Sequence, residues 1–577
     1  MNRFLSKVLY PLETGDYKKI IFIFVLTSIS ALLELLGIGL IIPILQIFVD
    51  GEFKNYVQNF SYFSDKSKEN ILIKILLILG ALYFVKFFLL RLLILRQFNF
   101  CHKLYTRISK KFFKNYLYKD YLFHTQNNSS ELIRNIIGEG NLFSFGVIFP
   151  LIRLCSEILI FVSICILLLI YDPLATLITI IFFSIIGYFL LMRTNNRLKI
   201  WGKKRQFYSA EVLKQLQQGF GSIKEVIINN MENVFLTKFH HNNLENANVG
   251  VKKDTTTQMP RLILELIGMV TFISLILFLL KKGENISEIF IIVGVFFYAA
   301  IRLLPAISKI VQSVQSIKYN YAVIDIIYKE LTSFEIKHVL NVENREQDFN
   351  KKKELKFDYL NFENVNFSYP NSYEKNLKDI NLTVKSGDKV GVTGKTGSGK
   401  STFINLFCGL LYPSEGKIKV NGNDLVKSEQ LWQKNIGYVP QNVSIIDESI
   451  LFNITLEDDI EKINLDRVND LLKQIDLYDH IYKLPNNIYE LAGENGTKLS
   501  GGQCQRLGIV RALYRNPSVI ILDEATSSLD EQTEELITEK LFNNTSKKTI
   551  ISISHRTSSL KYCNRFFEVK DNTIKEK

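Results

Sequence analysis

Gly394-Lys395-Thr396-Gly397-Ser398-Gly399-Lys400-Ser401 decides how the second half of this 577-residue chain is built. The stretch fits G-x-x-x-x-G-K-[ST], and its flanks are those the pattern requires. An apolar, strand-like run, Lys389-Val390-Gly391-Val392-Thr393, leads into it, and an apolar helix beginning Thr402-Phe403-Ile404 leads out. Glycines at this spacing let the backbone wrap its N–H groups around phosphates at the positive end of a helix. Lys400 then supplies charge at the β- and γ-phosphates, and Ser401 a hydroxyl for Mg²⁺. Gly394 through Ser401, with Thr402, is therefore the expected nucleotide-binding loop.

Working outward, Val519-Ile520-Ile521-Leu522-Asp523-Glu524 reads as a buried strand ending in two carboxylates. Asp523 suits the Mg²⁺ shell, and Glu524 is placed to polarise an attacking water as general base. Alone, such a pair reads better as a solvated strand end; beside a phosphate loop it does not. From about residue 356 short β-branched runs, glycine turns and amphipathic helices alternate, as in an α/β domain.

Leu499-Ser500-Gly501-Gly502-Gln503 precedes a helix running from Cys504 to Leu513, and here the chain resembles the ATP-binding-cassette (ABC) family, whose signature is LSGGQ. Other family elements follow in order. Tyr369, 25 residues before Gly394, matches the aromatic that stacks on adenine. Gln441 in Val439-Pro440-Gln441 matches the glutamine that links Mg²⁺ and water to the membrane domain. Ser527-Ser528-Leu529-Asp530 matches the loop after the catalytic carboxylate, and His555 the switch histidine at the γ-phosphate. Gly493-Glu494-Asn495-Gly496 looks like the exporter segment that touches the cytoplasmic helices. Cys504 and Asn495 depart from the family's frequent basic residues, and neither removes a catalytic group. The resemblance covers about 356–577. It implies an ATP hydrolase with Glu524, His555 and Gln441 in catalysis, and Mg²⁺ held by Ser401, Gln441 and Asp523. It also implies a dimer, because Ser500, Gly501, Gly502 and Gln503 of one copy close over ATP held by the other. With one chain in hand, the expected partner is a second copy.

The first half has a different composition. Residues 1–340 hold 38 Lys+Arg against 23 Asp+Glu, a net of +15, whereas the remainder holds 32 against 34, a net of −2. The whole chain carries +13 with 47% hydrophobic residues, including 42 Phe, which excludes disorder. All the positive excess shares its half with six long apolar runs, near 19–48, 70–98, 145–171, 173–195, 262–281 and 287–307. About 20 helical residues cross a bilayer, so six spans are expected. Lys7, Lys18 and Lys19, the cluster Lys103 to Lys119, and the cluster Arg193 to Arg205 read as cytoplasmic. This accounts for the charge without nucleic acid as a partner. The first outside loop, with Phe53, Tyr56, Phe60 and Phe63, reads equally as a surface-lying amphipathic helix or a packed loop. The expected architecture is a six-span α-helical transmembrane domain (1–330), a linker (331–355) and an α/β ATPase domain of ABC type (356–577). No cleavable signal peptide is apparent.

Six spans fused ahead of the cassette resemble ABC exporters of half-transporter type in the bacterial inner membrane. Phe123-His124 through Leu132, and Gly221-Ser222-Ile223-Lys224-Glu225, look like the segments that dock on nucleotide domains. Charges inside spans are costly and face cavities or partners. Arg153–Glu157 and Arg261–Glu265 stand at i,i+4 spacing and are candidates for plain ion pairs. Alternatively, arginines converge on an anionic substrate, since guanidinium forks match phosphate oxygens. The sequences around Arg91, Arg261 and Arg302 resemble those of a Campylobacter lipid-linked oligosaccharide flippase, which implies a polyprenyl-pyrophosphate-linked glycan as substrate. Exporters of a peptide, toxin or other lipid, and an ATP-gated regulatory membrane protein, are the competing readings.

Overall fold

The computed structural model describes residues 2–49, 68–171, 173–282, 286–333, 355–370, 372, 375–526, 529–544, 547–554 and 560–577. The chain divides into two compact units. One comprises Met1–Lys119 and Gln126–Val339, the other Asp120–Thr125 and Leu340–Lys577. The first outside loop, Ser527, Ser528, His555 and most of the expected linker lie outside the described residues.

The first unit is helical. A short helix α1 (Asn2–Leu9) precedes α2 (Thr14–Val49) and α3 (Lys68–Leu117). A helical run α4 (Ser129–Ile170) follows, wound as π-helix over Asn135–Glu139 and Ser144–Ile148. Then come α5 (Pro173–Gly221), α6 (Glu232–Lys282) and α7 (Ile286–Tyr319). Among the described residues five helices are long and apolar enough to cross a membrane: α2, α3, α4, α6 and α7. The apolar run 173–195 lies in α5, whose side chains are only partly described. These helices leave no backbone polar group for lipid to satisfy, which is why helices rather than loops fill such runs.

Packing among them rests on small contact residues and a shared apolar seam. Ile38 of α2, Ile164 and Leu168 of α4, and Val295 and Ala299 of α7 form one buried cluster. At Gly202 a Cβ would lie 1.9 Å from the Tyr319 carbonyl, so α5 and α7 approach there only because the side chain is absent. Three charged residues expected inside spans also meet. Lys86 donates to Glu34, and Arg302 Nε lies 2.5 Å from Glu34 Oε1, with the Lys86 and Glu34 side chains almost fully buried. Tyr83 and Tyr298 join hydroxyls beside them. Glu34 thus ties α2, α3 and α7 together. Glu157 pairs with Lys309 at 2.7 Å, not with Arg153 as its helical spacing suggests. A partner on the facing helix wins there over the neighbour one turn away.

The second unit is an α/β domain with two sheets. A six-stranded sheet runs in the order β10-β9-β3-β8-β7-β6, formed by β3 (Lys389–Gly394), β6 (Ile436–Val439), β7 (Val519–Asp523), β8 (Thr549–Ile553), β9 (Arg565–Lys570) and β10 (Thr573–Glu576). All its pairings are parallel except β10 on β9. The continuous Val/Ile runs of β7 and β8 are what a sheet covered on both faces needs. An antiparallel sheet, β2-β1-β4-β5, holds β1 (Tyr359–Phe367), β2 (Leu377–Lys385), β4 (Glu415–Val420) and β5 (Asn423–Asp424). Between them a core of Phe362, Phe403, Phe407 and Trp432 is sealed. The Trp432 indole N–H donates to the Phe407 carbonyl at 2.7 Å, so the largest buried side chain leaves no polar atom unpaired. Leu122, one residue before the segment Phe123–Leu132 expected to dock on a nucleotide domain, packs against this core.

Candidate nucleotide site

Strand register puts the chemistry at one edge. Val392 of β3 is level with Ile553 of β8, and Ile553 with Asp523 of β7. The phosphate loop therefore leaves β3 at the same end of the sheet where β7 delivers Asp523 and Glu524. Carboxyl ends of parallel strands are where open α/β sheets place ligands. Val439 of β6 pairs with Leu522, so the next two residues of each strand, Pro440-Gln441 and Asp523-Glu524, emerge side by side.

The loop has the conformation its glycines permit. Gly394, Gly397 and Gly399 have φ of +152°, +79° and +107°. A Cβ on Gly394 would strike the Val569 carbonyl at 2.4 Å and Ser398 Oγ at 2.8 Å. Lys395, Thr396 and Gly397 are exposed at the tip, while Gly399 caps the helix α8 (Lys400–Phe407), whose N-terminus the loop faces. Lys400 Nζ donates to the Gly394 carbonyl at 2.6 Å and to the Lys395 carbonyl at 3.1 Å, which folds the ammonium back across the loop's mouth. Ser398 Oγ is buried beside Gly394 with no hydrogen-bond partner. Tyr369 stands on the loop's flank: its hydroxyl lies 3.4 Å from Thr402 Oγ1 and its ring packs edge-on to Phe367.

The carboxylates are held differently. Glu524 takes a left-handed φ of +48°, unusual for a glutamate, and its N–H donates to the Ile553 carbonyl at 3.0 Å. Gln441 Nε2 donates to Glu524 Oε2 at 2.7 Å. That leaves the Gln441 amide oxygen as the atom presented to a hard cation. Tyr438 donates its hydroxyl to Asp523 Oδ2 at 3.1 Å. Burial, and then the Glu524 charge, push the Asp523 carboxyl above the ordinary range, while Tyr438 and the Lys400 ammonium pull against them. Burial pushes the Tyr438 phenol up, and the Asp523 charge reinforces it.

Oxygen donors from Ser401, Gln441 and Asp523 suit Mg²⁺, which is held by few carboxylates plus substrate phosphates rather than by a protein cage. Among the described residues no cluster of three His, Cys, Asp or Glu forms an alternative metal site. Bound there, Mg²⁺ would neutralise charge on the β- and γ-phosphate oxygens. With Gln441 orienting Glu524, the edge can position a water and accept its proton.

The signature segment lies in the same unit. Ser500 caps the helix α9 (Gly501–Tyr514) in a reciprocal box: Gln503 N–H donates to Ser500 Oγ at 3.3 Å, and Ser500 N–H to Gln503 Oε1 at 2.8 Å. Gln503 Nε2 lies 2.5 Å from His480 Nε2. Cys504 Sγ lies over Gly496, 3.9 Å from its carbonyl oxygen, where a Cβ on Gly496 would meet the sulfur at 2.9 Å. The departure from a basic residue thus packs the signature against the Gly493–Gly496 segment.

One network carries no sequence motif. Asn453 is fully buried, donates to the Ile446 carbonyl at 2.8 Å and accepts from the Ile446 N–H at 2.9 Å. Arg511 of α9 reaches the Asn453 carbonyl at 2.6 Å, Asn453 Oδ1 at 2.9 Å and the Ser444 carbonyl at 2.8 Å. The loop that follows Gln441 is thereby fastened to the signature helix.

The three candidate substrate arginines are placed apart in role. Arg302 is committed to Glu34, and Arg261 pairs with Glu265 at 2.9 Å on an exposed face. Arg91 is exposed, and no ion pair or hydrogen bond joins it to a described residue.

Comparison with known proteins agrees with this geometry. Residues 377–527 match the family described as ABC transporter, and residues 20–301 that described as ABC transporter transmembrane region. The chain belongs to the ABC transporter family, with a transmembrane region and an ATP-binding domain, and is a multi-pass membrane protein. It is 35% identical over 218 residues to the alpha-hemolysin translocation ATP-binding protein HlyB of Escherichia coli O157:H7, covering 38% of this chain and 31% of that protein. It is 34% identical over 218 residues to ABC transporter B family member 13 of Arabidopsis thaliana, covering 38% of this chain and 17% of that protein. The chain thus spans less than a third of these curated relatives. Its fold is similar to that of a bacterial Atm1-family ABC exporter solved with ATP bound, with a TM-score of 0.79, 18% identity, and coverage of 97% and 95% of the two chains.

Proposed function

We propose that this chain is an ATP-driven exporter or flippase of the bacterial inner membrane, working as a homodimer. The observation that carries it is the Gln441–Glu524 contact beside the Gly394–Ser401 loop, in a chain that also holds the membrane helices. Each copy's Lys400 loop would bind ATP and its Ser500–Gln503 segment would close over the partner's ATP. His555 would sense the γ-phosphate and Tyr369 stack on adenine. Closure would rearrange the membrane halves, and hydrolysis through Glu524 would reset them. Gln441 would report the carboxylate's state along the loop that Asn453 and Arg511 fasten to α9.

The favoured substrate is a polyprenyl-pyrophosphate-linked oligosaccharide, with Arg91, Arg261 and Arg302 meeting its pyrophosphate. Arg91 supports this best, being a cation without a carboxylate partner among the described residues. Arg261 and Arg302 would have to share or release Glu265 and Glu34. Replacing all three by Ala is expected to abolish flipping of a fluorescent lipid-linked glycan in proteoliposomes while basal ATP hydrolysis persists. Unchanged flipping in the triple variant would sink the substrate assignment. The translocation named in HlyB's description favours a second reading, export of a protein toxin, and the same proteoliposomes loaded with candidate polypeptides separate the two.

A further inference from the structure

Away from the nucleotide edge, and beyond Arg91 on the same helix, α2 and α3 enclose a cleft of 260 Å³ with an unusual lining. Its rim carries Lys18 and Lys19 from α2 and Arg96 and Lys103 from α3, and no acidic residue lines it. Its floor is apolar, with Ile23 and Phe100 almost fully buried, and Phe22 at the side. Two carboxylates stand near, Asp16 and Glu13; Asp16 is spent on Lys19 at 3.2 Å and on Arg107, and Glu13 on Arg107 and Lys111. Lys18, Arg96 and Lys103 have no ion-pair partner among the described residues, though Arg96 lies over the Phe22 ring at 5.7 Å.

The cleft also lies at a defined level of both helices. The apolar run of α2 starts at Lys19, and Arg96 lies in the last turn of that of α3, near 70–98. Four cations therefore converge where two spans leave hydrocarbon. Below the rim both helices present exposed apolar side chains, Ile21 and Val25 on one and Leu92 and Leu95 on the other. A basic pocket between spans at the headgroup level, above an apolar path, is the chemistry of an anionic lipid site.

We infer that this cleft binds an anionic phospholipid, its phosphodiester among Lys18, Arg96 and Lys103 and its acyl chains along the apolar faces of α2 and α3. The cations stand at the level of the headgroups, beside exposed apolar side chains, so the occupant is a lipid of the surrounding bilayer. The inference rests on these helix ends being cytoplasmic, and its test does not read transport.

The full-length protein is extracted from vesicles of equal phosphatidylglycerol and phosphatidylcholine, and retained lipid is counted by native mass spectrometry. Wild type is expected to retain phosphatidylglycerol about tenfold over phosphatidylcholine, since each cation near the surface adds to the preference. The triple variant Lys18→Gln, Arg96→Gln, Lys103→Gln should fall to near parity, with thermal unfolding and ATP binding unchanged. A control triple, Lys110→Gln, Lys204→Gln, Lys224→Gln, removes equal charge elsewhere and should retain the preference. Equal retention of both lipids by wild type, or an unchanged preference in the cleft variant, overturns the inference. So does displacement of the lipid by millimolar inorganic phosphate, which would make the cleft a site for a soluble anion.

Discussion

The two halves of this chain treat charge in opposite ways. In the nucleotide unit, charged and polar side chains converge: Lys400 beyond β3, Asp523 and Glu524 of β7, and Gln441 beyond β6 gather at the carboxyl ends of the parallel strands, with β8 between β3 and β7. In the membrane unit they are dispersed and mostly paired, with Glu34 holding Lys86 and Arg302, and Glu157 holding Lys309. The reason is the solvent each faces. Water and phosphate repay an unpaired charge at the sheet edge, whereas hydrocarbon does not, so a charge there needs a partner or a cavity. An unpaired cation is therefore ordinary in the first setting and informative in the second.

The sharpest test of convergence is Lys400→Ala. Losing charged hydrogen bonds to two phosphates should weaken nucleotide binding by roughly 10²–10³-fold, read by equilibrium titration. A loss of less than about threefold would remove Lys400 from the site. In the membrane unit, Glu34→Ala strands two cations and should cost about 3–5 kcal/mol in detergent unfolding. Arg261→Ala, by contrast, breaks an exposed pair and should cost at most about 1 kcal/mol. Equal costs for the two would erase the distinction between buried and exposed pairing. Asn453→Ala removes one of three Arg511 hydrogen bonds and leaves the Ile446 N–H and carbonyl without their side-chain partner; it should cost about 2–3 kcal/mol, with a fall in ATP hydrolysis exceeding any fall in ATP binding.

The smallest expected effect is a shift in pH dependence. Asp523 has a folded-state pKa above its unfolded value, so ionising it costs stability as pH rises from the unfolded value through the folded one. Tyr438→Phe removes the hydrogen bond that holds that pKa down. The acid limb of ATP hydrolysis should then move to higher pH, because the Asp523 carboxylate loses a hydrogen bond to its charged form. A limb that stays put or moves down would separate Tyr438 from Asp523 function.

What was legible in the sequence follows the same divide. The loop, the β7 carboxylates and Ser500–Gln503 were readable because their chemistry depends on contiguous residues at fixed spacing. Tyr438 on Asp523 and Arg511 on Asn453 were not, because those contacts join residues far apart in sequence that only strand register and helix packing bring together. The reciprocal cap of Ser500 and Gln503 was legible in principle as Ser-x-x-Gln before a helix, yet the signature reading left it unused. Inside the membrane unit, i,i+4 spacing correctly gave Arg261–Glu265 and failed for Arg153–Glu157, since helical spacing lists neighbours on one helix and is blind to Lys309 on the next. The two-sheet topology of the nucleotide unit, with its antiparallel β2-β1-β4-β5 layer, also lay beyond periodicity, which fixes strands but not their order.

The central claim is that Glu524, oriented by Gln441, activates water for ATP hydrolysis by this chain. The direct measurement is steady-state Mg²⁺-dependent ATP hydrolysis by the purified full-length protein in nanodiscs, for wild type and Glu524→Gln, with ATP binding measured in parallel. The account predicts a fall of at least about 10²-fold in turnover with ATP still bound. Normal turnover in the Glu524→Gln protein would contradict it.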